Sequence, residues 1–304
     1  METVRPLEKT NLHKSLDVLE ARMSLENTIK QDRSNLQKGY EGEQTFQTFL
    51  EKRHSTDGLV LNNVMLEVRG SPIQIDSLVI APDTVYLYEI KNYSGEYKME
   101  DGILYTLSGF EVDNPINQLE RTQSRLRQLF QQWRVNIKIE ASIIFVHPQF
   151  VLYNANPKHP IVLHAQINKH LDKINSNGLP LLKWHRQLAN KLIASIIEEG
   201  SYQKKTPSYT YEELDKKVGC VKCLSWDVRL TQRSFTCSAC HYKGTIEELV
   251  LQQVEDFRLL FPDKRVTRNS IHNWCGGVMP PKKIQQILSR NYTKRGNTLG
   301  TYYE

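Results

Sequence analysis

The chain has 304 residues, 39% hydrophobic and 24% charged, with a net charge of +6. That balance suits a globular protein and argues against wholesale disorder. No apolar stretch approaches the roughly 20 residues that a membrane helix requires, and the segment with Arg5, Glu8, Lys9, Lys14 and Asp17 lacks the apolar centre of a secretory signal. Five cysteines are too few for a disulfide scaffold. A cytoplasmic protein with no membrane partner is the expectation.

In chain order, residues 11–36 read as a helix, because Leu12, Leu16, Leu19 and Met23 line one face. Residues 38–50 read as another, with Phe46, Phe49 and Leu50 buried. Glu43 shares that side, a costly place for an acid without a partner. Three strand-like segments follow at 59–68, 73–80 and 85–91. The last two flank Ala81-Pro82-Asp83-Thr84, a four-residue hairpin loop with Pro and Asp at turn positions. A weaker strand lies at 103–107. Asn114 caps a helix that begins at Pro115, and its apolar side runs Ile116, Leu119, Leu126, Leu129 or Phe130, and Trp133. Residues 141–146 and 161–163 read as strands, and 181–197 as a closing helix. This order predicts an α/β layer domain over 36–200, preceded by a helical extension over 1–35. A linker is expected at 201–218, a cysteine module at 219–245 and a helical, basic region at 246–304. That last region has a helix at 245–260 and shorter ones near 268–274 and 281–291, which Gly276-Gly277 separates.

Charge is placed unevenly. Residues 264–303 hold eight Lys and Arg and no acid, which exceeds the net charge of the whole chain. Such a single-sign field attracts polyanions, nucleic acid first. Arg268, Lys282, Lys283, Arg290, Lys294 and Arg295 are the candidate contacts, and a solvated basic face is the plainer alternative. Tyr292, Tyr302 and Tyr303 offer rings that could stack on bases or cover apolar surface at a disordered end.

The hairpin register carries chemistry. With 81–84 as the loop, Ile80 faces Val85 and Asp76 falls opposite Glu89. Those two then share a face with Lys91, and Ile90 turns away. A slip of one residue would separate them. Two close carboxylates need a cation or a proton between them. Mg²⁺ takes such oxygens together with water and phosphate. With a lysine alongside, these are the parts for metal-assisted phosphodiester hydrolysis. A cross-strand salt bridge is the plainer reading of the same residues.

The runs G-Y-E-G-E (39–43), Q-I-D-S-L-V-I (74–80), Y-L-Y-E-I-K-N-Y-S-G (86–95) and N-P-I-N-Q (114–118) occur in that order. Together they resemble the nuclease-related domain (NERD) family, which is similar to the PD-(D/E)XK restriction-endonuclease-like nucleases. The resemblance implies a mixed sheet flanked by helices and a Mg²⁺- or Mn²⁺-dependent nuclease acting on nucleic acid, DNA first. It implies Asp76 and Glu89 as ligands of the catalytic metal, aided by the carbonyl of Ile90, and Lys91 as the residue that positions water. Glu43 would be the helix acid that completes the site. Gln118 would orient the site or a phosphate, with helix capping as its alternative. The rival function is a nucleic-acid-binding or partner-recruiting adaptor on a non-catalytic nuclease-like scaffold. Restriction-like folds often pair, so a homodimer is a further expectation.

Cys220-x2-Cys223-x13-Cys237-x2-Cys240 has the spacing of two zinc knuckles. Four thiolates suit a closed, tetrahedral, structural Zn²⁺, whereas disulfides are disfavoured in a cytoplasmic chain. A zinc-ribbon-like module is expected. It would present a platform to nucleic acid or to a protein partner, or would only replace a missing core. Cys275 reads as a packing residue.

Overall fold

The computed structural model describes residues 1–53, 57–174, 178–197, 206–297 and 300–304. Its elements begin with β1 (Glu2–Arg5), α1 (Asn11–Arg22), α2 (Asn27–Glu51), β2 (Leu59–Val68), β3 (Ser71–Ile80) and β4 (Thr84–Lys91). They continue with β5 (Gly95–Glu100), β6 (Ile103–Thr106), β7 (Glu111–Val112), α3 (Pro115–Gln132), β8 (Lys138–Phe145), β9 (Phe150–Tyr153), β10 (Ile161–Leu163), α4 (Ile167–Leu171) and α5 (Lys183–Ala194). The rest is β11 (Val228–Leu230), β12 (Ser234–Cys237), β13 (Lys243–Thr245), α6 (Ile246–Leu260), α7 (Arg268–Trp274), α8 (Pro281–Asn291), β14 (Lys294–Arg295) and β15 (Tyr302–Tyr303). Two compact units result: Met1–Lys9 with Asn35–Gly200, and Thr10–Ser34 with Ser201–Glu304. Among the described residues, no helix is long and apolar enough to cross a membrane.

The first unit is built on a mixed sheet of order β1-β2-β3-β4-β8-β10. β2, β3 and β4 run antiparallel in sequence, and β8 and β10 join parallel beyond β4. Parallel neighbours need a crossover, and α3 lies between β4 and β8 in the chain. One face of the sheet packs Leu119, Leu126 and Phe130 of α3 and Leu188 and Leu192 of α5. The other packs Phe46 and Leu50 of α2 and Ile167 and Leu171 of α4. A second sheet of order β7-β6-β5-β9 completes the unit.

Two helices were expected over 11–36 and 38–50. The structure instead ends α1 at Arg22, where Met23 turns to extended backbone, and runs α2 unbroken from Asn27 to Glu51 through both Gly39 and Gly42. Both glycines lie inside the expected second helix, and one of them has a packing reason given below.

In the second unit, α1 packs on α6. Arg22 is buried and donates to the carbonyls of Asp215 (2.8 Å) and Lys217 (3.1 Å) and to Gln253 Oε1 (2.7 Å). Of the expected linker, 201–205 lie outside the described residues. Residues 206–218 have no helix or strand but are anchored: Leu214 and Val218 are buried, and the Tyr209 hydroxyl donates to the carbonyl of Leu260. β11, β12 and β13 form a small antiparallel sheet beside the cysteines. The C-terminal end is ordered rather than disordered. Tyr303 is 3% exposed, and its hydroxyl meets Ser289 Oγ at 3.1 Å.

Candidate functional site

The β3–β4 hairpin has the expected register, from Ile80 opposite Val85 to Ser77 opposite Tyr88. There the pairing of the two strands stops, while β4 stays paired to β8 as far as Lys91 opposite Phe145. The gap opens at Asp76. Simple alternation does not describe this point. Ile73, Ile75, Leu78 and Ile80 of β3 all belong to the same core cluster, so the side-chain alternation slips by one residue between Ile75 and Leu78. On β2 the same slip separates Leu61 from Val64, around Asn63 with its φ of 49°. Asp76 therefore reaches into the fork between the strands, where its Oδ2 accepts the backbone N–H of Ile90 at 2.8 Å. The N–H and C=O of one residue leave an extended strand on the same side, so the carbonyl of Ile90 faces the same gap.

Glu89 and Lys91, two residues apart on β4, share a side as alternation requires. Lys91 Nζ lies 2.7 Å from Glu89 Oε1, and the two side chains are only 19% and 4% exposed. Lys91 also donates to Gln118 Oε1 at 3.3 Å. Gln118 does not cap α3. Asn114 does, by accepting the N–H of Ile116 at 3.0 Å. The cap fixes the first turn of α3 and hence the place of Gln118 above β4.

Glu43 comes from α2, on the side of Phe46 and Leu50. Its approach depends on Gly42. A Cβ there would stand 2.7 Å from Asn92 Cβ and 3.4 Å from Val146. Asn92 in turn donates to the carbonyl of Lys38 at 2.8 Å, which ties the end of β4 to α2. The sequence reading did not single out Asn92, although it directly follows Glu89-Ile90-Lys91.

These groups are electrostatically strained. Burial, then Glu89, pushes the Glu43 carboxyl up to about 7. Burial, then Glu89 and Glu43, holds Asp76 well above the usual carboxylate range against the opposing pull of the Ile90 N–H and Lys91. Burial alone would lower the pKa of Lys91, but Glu89 outweighs it and the net shift is upward, so the side chain stays an ammonium. One oxygen of Glu43, Oε2, is buried with no hydrogen-bond partner. The three carboxyl groups thus repel one another, and the one lysine among them answers Glu89 and Asp76. Beside them lies a cavity of about 610 Å³ lined by Lys38, Ile90, Lys91, Asn92, Tyr93 and His147, among others.

Among the described residues, only the four cysteines form a set of three or more candidate ligands with every ligand atom within 4.8 Å of the others. Cys220 Sγ and Cys240 Sγ are 3.7 Å apart, and Cys223 Sγ and Cys237 Sγ 3.6 Å. All are free thiols. Sulfurs at about 2.3 Å from a tetrahedral Zn²⁺ stand roughly 3.8 Å from each other, so the four could bind zinc. The N–H groups of Cys240 and Ala239 lower the Cys237 thiol to about 7. Thiolates are the ligating form.

The six basic candidates lie in the second unit. Arg268, Lys282, Arg290, Lys294 and Arg295 are exposed and Lys283 is half-buried. Arg295 pairs with Glu304 at 3.0 Å. The tyrosines are engaged: Tyr292 donates to Glu255, and Arg265 covers the ring of Tyr302. Cys275 is fully buried, and burial pushes its thiol up to about 12, as suits packing.

No curated protein and no solved structure matches the chain. The model of one family does, over residues 38–146, from α2 to the residue after β8. It is the model of the nuclease-related domain, and the span it matches contains Glu43, Asp76, Glu89, Lys91 and Gln118.

Proposed function

We propose that the first unit is a divalent-metal-dependent nuclease that hydrolyses phosphodiester bonds of nucleic acid, DNA first. The observation that carries this reading is the cation deficit at the β3–β4 fork. Glu43, Asp76 and Glu89 repel one another, the one ammonium among them is bonded to Glu89, and a buried carboxylate oxygen of Glu43 has no partner. Oxygen donors with unmet negative charge suit a hard divalent cation. Asp76 and Glu89, with the carbonyl of Ile90, are the residues that would hold it. A main-chain oxygen completes that donor set. A cation held there supplies Lewis-acid polarisation of phosphate and activation of water.

The protein's own groups divide the remaining work. Lys91, kept protonated by Glu89 and steered by Gln118, orients the attacking water or offsets charge on the phosphate oxygens. A lysine so charged is no base. Glu43, with a pKa of about 7, is able to take up a proton near neutral pH. The four thiolates hold a structural Zn²⁺.

The test is cleavage of labelled linear, circular and single-stranded DNA and of RNA by the purified chain with Mg²⁺ or Mn²⁺, beside Asp76→Asn and Lys91→Ala. Cutting by the wild type alone is expected. Wild-type protein that cuts none of these with any divalent metal would leave the scaffold reading in its place.

A further inference from the structure

The C-terminal helices form an arrangement that the nuclease site does not use. α6, α7 and α8 pack on one another around Val254, Phe257, Ile271, Trp274, Ile284 and Ile287. Val266, between α6 and α7, bridges antiparallel to Tyr303, and β15 pairs with β14. The chain order is helix, bridging residue, helix, helix, strand, strand, with the last strand in the middle of the small sheet. That is the topology of a winged helix-turn-helix. The turn from α7 to α8 carries Gly276 and Gly277 at φ of 67° and 72°, a conformation that glycine adopts without strain.

Topology alone does not give function, but the surface does. α8 turns Ile284, Ile287 and Leu288 inward and Lys282, Gln285, Gln286, Ser289 and Arg290 outward, all five exposed and spaced as one stripe. Among the described residues, neither Lys282 nor Arg290 has an ion-pair partner. The stripe contains no acid. Arg and Lys fork onto guanine edges or meet phosphates, and Gln matches adenine. Lys294 and Arg295 stand exposed on β14. On α6, Glu247, Glu255 and Asp256 accept from Asn291, Tyr292 and Gln252, Asp263 lies between α6 and α7, and Glu304 pairs with Arg295 at 3.0 Å. The acid-free surface is thus the exposed stripe of α8, while Arg295 on β14 shares its charge with Glu304.

Two features narrow the ligand. Tyr303 is buried and Tyr302 is covered by Arg265, so the rings that would stack the bases of a single strand are taken. A helix enters the major groove of B-form DNA, whereas that of A-form RNA is too deep and narrow. We infer that α6–α8 with β14 and β15 form a winged helix-turn-helix that binds duplex DNA, α8 lying in the major groove and Lys294 and Arg295 against flanking phosphates.

This inference is independent of cleavage, so binding is measured on the full chain without added divalent metal. Fluorescence anisotropy would compare a short DNA duplex, an RNA duplex of the same sequence and each DNA strand alone. The DNA duplex should bind at least about tenfold tighter than the others. In the double variant Lys282→Ala/Arg290→Ala, affinity for the DNA duplex should fall about tenfold or more and the log–log salt slope should drop by about two. Thermal unfolding should not move, because both side chains are exposed. Unchanged affinity and slope in the double variant, or RNA duplex or single strands bound as tightly as duplex DNA, would overturn the inference. Binding without cleavage would count against the nuclease reading alone.

Discussion

The carboxylates Glu43, Asp76 and Glu89 are held by a domain whose core does not include them, whereas two of the four cysteines make up much of the core of the module that carries them. Around the first site, two apolar clusters line both faces of a six-stranded sheet. In residues 219–245, the buried side chains are Cys220, Phe235 and Cys237, and two of the three belong to the cysteine cluster. A metal in the first place would add function to a finished fold. In the second it would supply the fold. Removing a cation should therefore relax nothing but charge in one unit and unfold the module in the other.

The strongest way to break this contrast is at the thiols. Cys237→Ser, or exhaustive chelation, should remove one zinc per chain and the order of β11–β13, because structural zinc contributes on the order of 10 kcal/mol to such modules. Hydrogen exchange would show the amides of β12 losing protection while β3 and β4 keep theirs. A β12 that stays protected without metal would place the module's stability in its side chains.

Next in size come the catalytic losses. Asp76→Asn and Lys91→Ala should each lower cleavage by about 10²–10⁴-fold, the usual scale for a lost acid–base or charge-stabilising group. Asp76→Asn should melt at or above the wild-type temperature, whereas Lys91→Ala should melt lower, because it leaves Glu89 buried without its ion-pair partner. Calorimetric titration should find divalent-metal binding weakened in Asp76→Asn and largely kept in Lys91→Ala. A fall in the melting temperature of Asp76→Asn that parallels its fall in rate would mean that this group is structural.

A smaller effect reads the repulsion directly. The Glu43 carboxyl is raised from 4.5 to about 7. Between those values the folded state retains a proton that the unfolded chain has released, so the metal-free protein should lose stability as pH rises through this window. Glu43→Gln should flatten that slope and add about 1–2 kcal/mol at about pH 8, before any metal is added. Urea unfolding on either side of the window checks both. A slope of the opposite sign would mean that Glu43 is paired when ionised.

The smallest change is at the cap of α3. Asn114→Ala should cost about 1 kcal/mol and lower activity modestly through Gln118. Loss of stability with an unchanged rate would separate Gln118 from the work of Lys91.

The hairpin register is legible in the sequence because Pro82 and Asp83 make a short turn and everything up to Ser77–Tyr88 follows by counting. The helices of the basic region are legible because Gly276-Gly277 and Pro281 punctuate them. The fork at Asp76 is not legible, since it depends on a slip of alternation shared with β2, a partner remote in sequence. Strands β5 and β9 go unforeseen. β5 does carry a signal, Glu96, Lys98 and Glu100 alternating with Tyr97 and Met99, but its pairing with β9 is set by chain that folds back about 50 residues later. The role of Gly42 is hidden because the clearance it gives Asn92 exists only in three dimensions. The two-residue strands β14 and β15 are too short for any periodicity, and the bridge from Val266 to Tyr303 is long-range.

The bond from Ile90 to Asp76 has a spectroscopic consequence. Along the paired part of the hairpin, main-chain amides are answered by carbonyls, whose charge is fixed. The Ile90 amide is answered by a carboxylate, whose charge changes when it takes a proton or a cation. Its proton resonance should therefore move with the state of Asp76 while its neighbours on β4 stay still. A single isotopic label at Ile90 becomes a gauge of that one side chain, readable with no substrate present and no bond being cut.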